Sequence, residues 1–304
     1  MIEAKDLCKR FGDFTALDRV SCHIEKGSIY GMVGSNGAGK STFLRVLAGI
    51  YQSDGGEVRV DGESVWENPK IKERMIVVPD ELYFLPGATM ARMARLYAAV
   101  YPRFDNERFQ RLTAAFRLPE KKSIDTFSKG MKRQAATILA MSARPYYLLF
   151  DETFDGLDAV MRNLVKSMIC SDVAENQMTT IITSHSLREL EDTCDQLVLL
   201  HRGGVILEND VEHLKTSLFK VQVAFNREYD RSEFADIDAL SYSKRGSVAN
   251  LIVRGDAEET RQRLLAKGPI LCDMLPLTLE EVFIYEMQSL GYDFQEVLEG
   301  MSYE

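Results

Sequence analysis

A chain of 304 residues, 45% hydrophobic and 27% charged, has enough apolar material for one large domain and a smaller one, and no stretch is low-complexity. Its net charge of −9 is unevenly placed: residues 220–304 hold nine basic and sixteen acidic residues, a net of −7, which leaves −2 for residues 1–219. So acidic a chain is a poor counterion for nucleic acid, and with no apolar run near the ~18 residues of a membrane span and no leader-like N-terminus, a cytoplasmic location and no nucleic-acid partner are expected.

In chain order, residues 2–11 alternate as a strand, Phe11-Gly12-Asp13-Phe14 makes a turn, and residues 20–24 form a second strand. Glu25-Lys26-Gly27 then turns into Ser28-Ile29-Tyr30-Gly31-Met32-Val33, a buried strand. It feeds Gly34-Ser35-Asn36-Gly37-Ala38-Gly39-Lys40-Ser41-Thr42, which fits G-x-x-x-x-G-K-[S/T] and is followed by a helix over 40–49 with Phe43, Leu44 and Leu47 on one face. A strand, a glycine-rich loop and a helix N-terminus together make a phosphate cradle, because consecutive amides and the positive helix end face one anion. Lys40 would bridge the β- and γ-phosphates of a nucleotide, and the Ser41 hydroxyl would take a place on Mg²⁺.

Asp54-Gly55-Gly56 and Asp61-Gly62 bracket a hairpin-like strand at 57–60, and residues 74–79 form a buried strand ending at Asp80-Glu81. Residues from about 87 to 124 change character. Met90, Met93, Leu96, Tyr97, Val100 and Tyr101 mark one helix, Phe109, Leu112 and Phe116 a second, and the arginines here read as a solvated face. Ser128-Lys129-Gly130-Met131-Lys132-Arg133-Gln134 opens a helix reaching Arg144. Tyr147-Leu148-Leu149-Phe150-Asp151-Glu152 is an apolar strand delivering two carboxylates at its end. After Phe154-Asp155-Gly156-Leu157-Asp158 comes a helix to about Asn176, a strand over 179–184 ending at His185, a helix over 187–193, and strands at 196–200 and 205–207. Strands alternating with helices predict a mostly parallel core sheet, in which ligands sit beyond the strand C-termini. Gly34, Asp80, Asp151, Glu152 and His185 would all emerge there. In the acidic C-terminal stretch, residues 220–225 and 248–254 read as strands and 257–266 as a helix, a small α+β appendage. Cys8, Cys22, Cys170, Cys194 and Cys272 show no metal or disulfide spacing and are expected to be buried, reduced thiols.

These motifs, in this order and spacing, resemble the ATP-binding subunit of ABC transporters over residues 1 to about 215. Leu277-Thr278-Leu279-Glu280-Glu281-Val282-Phe283 resembles the close of many exporter-type subunits. The resemblance implies a P-loop ABC ATPase domain over 1–216: a mostly parallel α/β core, an antiparallel β subdomain and a helical subdomain at about 87–145. Residues 217–304 would form an accessory α+β domain, either regulatory, dimer-stabilising or a lid on the core. ATP and Mg²⁺ are the implied ligands. ATP would be held by Phe11, stacked on adenine unless it is simply a core phenylalanine, and by Gly34, Ser35, Asn36, Gly37, Ala38, Gly39, Lys40, Ser41 and Thr42. Ser41, Asp151 and Asp80 would meet the metal; the family usually has glutamine at position 80. Glu152 would be the general base and His185 the switch histidine contacting the γ-phosphate; capping of the next helix is the alternative role for the strand-end acids. Ser128, Lys129, Gly130 and Met131 stand where the family has the last four residues of its L-S-G-G-Q signature, which grips ATP held by an opposite subunit. Ser-x-Gly read alone, without its neighbours, is better taken as an ordinary helix N-cap. Asp155, Gly156, Leu157 and Asp158 would cross the interface of an ATP-dependent dimer of like or unlike ATPase subunits. The implied function is an ATPase powering transport, in the export direction, through separate membrane-spanning permease subunits that hold it at the inner face of the cell membrane. A soluble ABC-type ATPase working on a macromolecular complex, or a slow nucleotide-sensing regulator, is the alternative.

Overall fold

The computed structural model describes residues 1–289. The chain divides into two compact units, Met1–Glu208 and the residues from Asn209 onward.

The first unit opens with β1 (Ile2–Phe11), β2 (Phe14–Ile24) and β3 (Ile29–Val33), followed by α1 (Lys40–Leu47). Next come β4 (Gly55–Val60), β5 (Glu63–Ser64), α2 (Pro69–Lys72) and β6 (Met75–Val78). Three helices follow: α3 (Met90–Val100), α4 (Asn106–Ala115) and α5 (Lys129–Ser142). The unit closes with β7 (Tyr147–Asp151), α6 (Ala159–Asn176), β8 (Thr179–Ser184), α7 (Leu187–Leu190), β9 (Gln196–His201) and β10 (Gly204–Asp210), whose end passes into the second unit. β2-β1-β4-β5 form an antiparallel sheet, and β10-β9-β3-β8-β7-β6 a six-stranded sheet in which the pairs β6·β7, β7·β8, β3·β8 and β3·β9 are parallel. All five residues of β3 and of β7 are buried, as parallel strands covered on both faces require.

β2 starts six residues before the expected strand. Arg19 has φ of 50° and Asp6 φ of 48°, and the β1·β2 register shifts three times, so strict alternation of apolar side chains is lost. Buried α5 carries an apolar run from Ala135 to Met141, broken only by Thr137, whose hydroxyl donates back to the Arg133 carbonyl at 3.0 Å. The arginines expected as a solvated face are partly committed. Arg108 forks both Nη atoms onto the Asp172 carboxylate at 2.6 Å, and the Arg103 guanidinium lies 4.2 Å from the Tyr146 ring centroid. Of the five free cysteines only Cys22 and Cys194 are buried; Cys170 is exposed and Cys8 and Cys272 are half-buried, contrary to the expectation of five buried thiols.

The second unit contains α8 (Val211–Ser217), β11 (Leu218–Ala224), β12 (Ala239–Arg245), β13 (Val248–Arg254), α9 (Ala257–Leu265), β14 (Leu271–Pro276) and α10 (Leu279–Ser289). Its antiparallel sheet has the order β12-β13-β11-β14, with Phe219, Val221, Val223, Leu251 and Val253 facing a core shared with Phe225, Tyr229 and Phe234. No helix among the described residues is long and apolar enough to cross a membrane.

Candidate active site

The strand register brings the polar ends of four strands to one edge. Val33 pairs with Ser184, Asp151 with Thr183, and Val78 with Phe150. The chain therefore leaves β3 at Gly34, β7 at Asp151 and Glu152, β8 at His185 and β6 at Asp80, all at the C-terminal edge of the parallel sheet.

The loop between β3 and α1 is shaped by its glycines. Gly39 caps α1 with φ of 109°, and a Cβ there would lie 2.6 Å from the Ala16 carbonyl oxygen. The Ala38 amide donates to the Ser35 carbonyl at 3.1 Å, while the amides of Asn36, Gly37, Gly39, Lys40 and Ser41 meet no acceptor among the described residues. A row of open donors at a helix N-terminus fits a chain of phosphates. Lys40 is 6% exposed, and its ammonium donates to the Gly34 carbonyl at 2.6 Å and the Ser35 carbonyl at 3.3 Å. It also lies 3.1 Å from Glu152 Oε1, so a buried cation is matched by carbonyls and one carboxylate.

Glu152 uses its other oxygen too: Oε2 lies 3.0 Å from His185 Nδ1. Its backbone is left-handed, with φ of 47°, a strained conformation held by neighbours on both sides. One neighbour is Thr183, which the sequence reading passed over. Its hydroxyl donates to Asp151 Oδ1 at 2.8 Å and accepts the Glu152 N–H at 3.1 Å, so one buried side chain orients both acids. The signal was a threonine two residues before His185 in a fully buried strand, where its hydroxyl needs a partner. Ser41 Oγ also donates to Asp151 Oδ1, at 3.0 Å. Mg²⁺ takes few protein ligands, keeping waters and substrate phosphates for the rest, so a hydroxyl beside one carboxylate suits it.

The remaining site residues divide. Phe11 ends β1 44% exposed, edge-on to Tyr51 at 5.4 Å with the Lys9 ammonium 5.5 Å from its ring centroid; it is no core residue. Ser128 caps α5, its Oγ accepting the Met131 amide at 3.2 Å. Lys129 Nζ bonds Asp155 Oδ2 at 2.9 Å, which raises the lysine's pKa and holds the Asp155 carboxyl below the usual carboxylate range. A Cβ on Gly130 would lie 2.9 Å from the Gly156 carbonyl oxygen, so the start of α5 packs against loop 155–158 of its own chain. Leu157 is buried, and Asp158 caps α6 through the Met161 amide at 2.9 Å. Asp80, expected at the metal, accepts a hydrogen bond from Arg133 Nη2 on its Oδ1 at 2.8 Å.

This geometry has relatives. Residues 17–155 match the family model described as "ABC transporter". The chain is 32% identical over 284 residues to the ABC transporter ATP-binding protein YtrB of Bacillus subtilis, covering 93% of this chain and 97% of that one. The chain belongs to the ATP-binding proteins of ABC transporters. As a member it is an ABC ATPase. It is also 31% identical to the linearmycin resistance ATP-binding protein LnrL of Bacillus subtilis, over 68% of each chain. A solved ATP-binding cassette, a dimer in a post-hydrolysis state bound to ADP and Pi, superposes with a TM-score of 0.63 over 69% of this chain and 99% of its own; at 20% identity it speaks for the fold alone. The match to YtrB runs on into the second unit.

Proposed function

We propose that this ATPase drives transport, in the export direction, through separate membrane-spanning subunits that hold it at the inner face of the cell membrane. The observation that carries the catalytic part is the convergence of Lys40, Asp151, Glu152 and His185 at one sheet edge, with both Glu152 oxygens engaged. The resistance protein among the relatives supports export.

ATP phosphates accept the open amides of the loop and draw the Lys40 ammonium toward the β- and γ-oxygens, competing with Glu152 for it. Glu152 Oε1, relieved of that cation, is then free to take a proton from water, while His185 keeps the carboxylate aimed. Mg²⁺, when bound, neutralises phosphate charge, and Ser41 and Asp151 are the residues that would hold it. Phe11, exposed at the end of β1, is suited to stacking on adenine. Ser128 and Gly130 would cover ATP held by the Lys40 loop of a second ATPase subunit, alike or different, with Lys129 and Met131 beside them and residues 155–158 crossing between. Residues 217–304 act as an accessory domain, regulatory or dimer-stabilising.

Glu152→Gln tests this reading. The amide keeps the shape but cannot accept the proton, so with Mg-ATP the variant should elute as a dimer, alone or with a co-encoded ATPase subunit. Lys40→Ala should neither bind ATP nor pair. Hydrolysis by Glu152→Gln at the wild-type rate refutes the assigned base, and recovery of no multi-helix membrane protein with the native complex refutes the transport role.

A further inference from the structure

Arg133 is the largest side chain buried at under 2% exposure, and it is a cation. Its Nη1 donates to the carbonyls of Pro79 at 3.0 Å and Asp80 at 3.1 Å, and its Nη2 to Asp80 Oδ1 at 2.8 Å; its Nε has no partner. Asp80 is the acid that answers this charge, and its own side chain is half-exposed. A guanidinium stays charged at any accessible pH, so burying it without that carboxylate is costly.

The two ends of the pair matter more than the pair itself. Asp80 stands two residues past Val78, and Glu152 two residues past its partner Phe150 on the adjacent strand. Arg133 lies on α5 four residues after Lys129, hence on the same helix face one turn further in. Lys129 reaches Asp155, whose amide donates to the Glu152 carbonyl at 3.2 Å. The first turns of α5 are thus fastened at two points, to the loop leaving β6 and to the loop leaving β7.

We infer that Arg133 and Asp80 are positioning residues for hydrolysis: together with Lys129 and Asp155 they clamp the start of α5 to the two loops beside Glu152, and the Asp80 carboxylate serves as the counter-ion of Arg133 rather than as a metal ligand. The inference rests on the reading of Glu152 as the base. It explains how an extra carboxylate is tolerated at this edge, since its charge is balanced before it meets the phosphates.

A double-mutant cycle with Asp80→Asn, Arg133→Met and the double variant tests it, reading kcat, KM for ATP, and the Mg²⁺ dependence of binding of a fluorescent ATP analogue. Coupled neighbours interact on the scale of a ~10-fold rate change. Each single variant should lose ~10-fold in kcat with KM within about twofold, the double should lose no more than either, and Asp80→Glu should recover most of the rate. The Mg²⁺ midpoint for analogue binding should not move. If the losses multiply, or if Asp80→Asn shifts that midpoint in both backgrounds, the clamp is wrong and Asp80 faces the metal. Should Arg133→Met not fold, Arg133→Lys, which keeps the charge but not the fork, takes its place in the cycle. Glu152→Gln run alongside separates the two failures: wild-type hydrolysis by that variant defeats the site, whereas additive losses with an inactive Glu152→Gln defeat only the clamp.

Discussion

The polar edge of the parallel sheet and the core of the C-terminal unit are built on opposite terms. At the edge almost every side chain answers two partners: Asp151 takes Ser41 and Thr183, Glu152 takes Lys40 and His185, and Arg133 spans two residues of one loop. In the C-terminal unit Phe225, Tyr229, Phe234 and Tyr242 pack ring on ring at 4.9–6.3 Å, and polar atoms serve the backbone, as when the Tyr229 hydroxyl donates to the Ser247 carbonyl at 2.7 Å. The first arrangement loses function when one atom changes; the second loses stability when volume changes. Substitutions in each should therefore separate rate from folding.

The largest effect belongs to Glu152→Gln. A positioned base typically contributes ~10²–10⁴-fold, and steady-state ATPase rates should fall by that much with the melting temperature unchanged to within a few degrees. Phe234→Ala should do the reverse. Removing a buried phenylalanine costs about 3–5 kcal/mol, so denaturant unfolding should show the C-terminal unit weakened while the affinity for an ATP analogue stays within about twofold. An equal loss of nucleotide binding would erase the contrast.

Thr183→Val is smaller and sharper. It keeps the shape of the side chain and removes the hydroxyl shared by Asp151 and Glu152. Groups that orient ligating or catalytic residues are worth ~10–100-fold, and turnover should fall within that range, with Thr183→Ser restoring most of it. A valine variant as active as the native chain would mean that the left-handed Glu152 backbone is held without this hydroxyl.

The same contrast explains what the sequence disclosed. The loop at 34–42, the acids at 151–152 and His185 were legible because phosphate chemistry dictates residue types at fixed spacing. Strand 179–184 and the Ser128 cap followed from pattern alone, whereas Asp158, read as part of an interface loop, also caps α6. The Arg133–Asp80 and Lys129–Asp155 pairs were not legible, since 53 and 26 residues separate their members and no local rule joins them. β12 and β14 escaped because both are edge strands with mostly half-exposed side chains, one interrupted by Ser241 and Ser243, the other ending in Pro276. The start of α10 did carry a signal: Thr278 and Glu281 exchange hydrogen bonds as a capping box, the Glu281 amide to Thr278 Oγ1 at 3.2 Å and the Thr278 amide to Glu281 Oε2 at 2.9 Å.

The smallest effect lies between the two regimes, at Asp105. This carboxylate caps α4 through the Arg108 amide at 2.8 Å and meets Arg144 Nη2 at 2.8 Å. The Arg108 N–H and the Arg144 guanidinium outweigh its partial burial and hold its carboxyl below the usual carboxylate range. A depressed folded pKa contributes stability that is fully present above the unfolded value of about 4 and is lost as pH falls through the folded one. Asp105→Ala removes cap and charge together and should cost about 1 kcal/mol at pH 7. Asp105→Asn keeps a good cap and deletes only the charge, so it should cost less, and its deficit against the native chain should shrink as pH drops below about 4. Thermal melts of the three proteins from pH 7 to 3 read this directly. A constant Asp105→Asn deficit across that range would show that the ion pair with Arg144 contributes nothing and that the helix cap carries the whole effect.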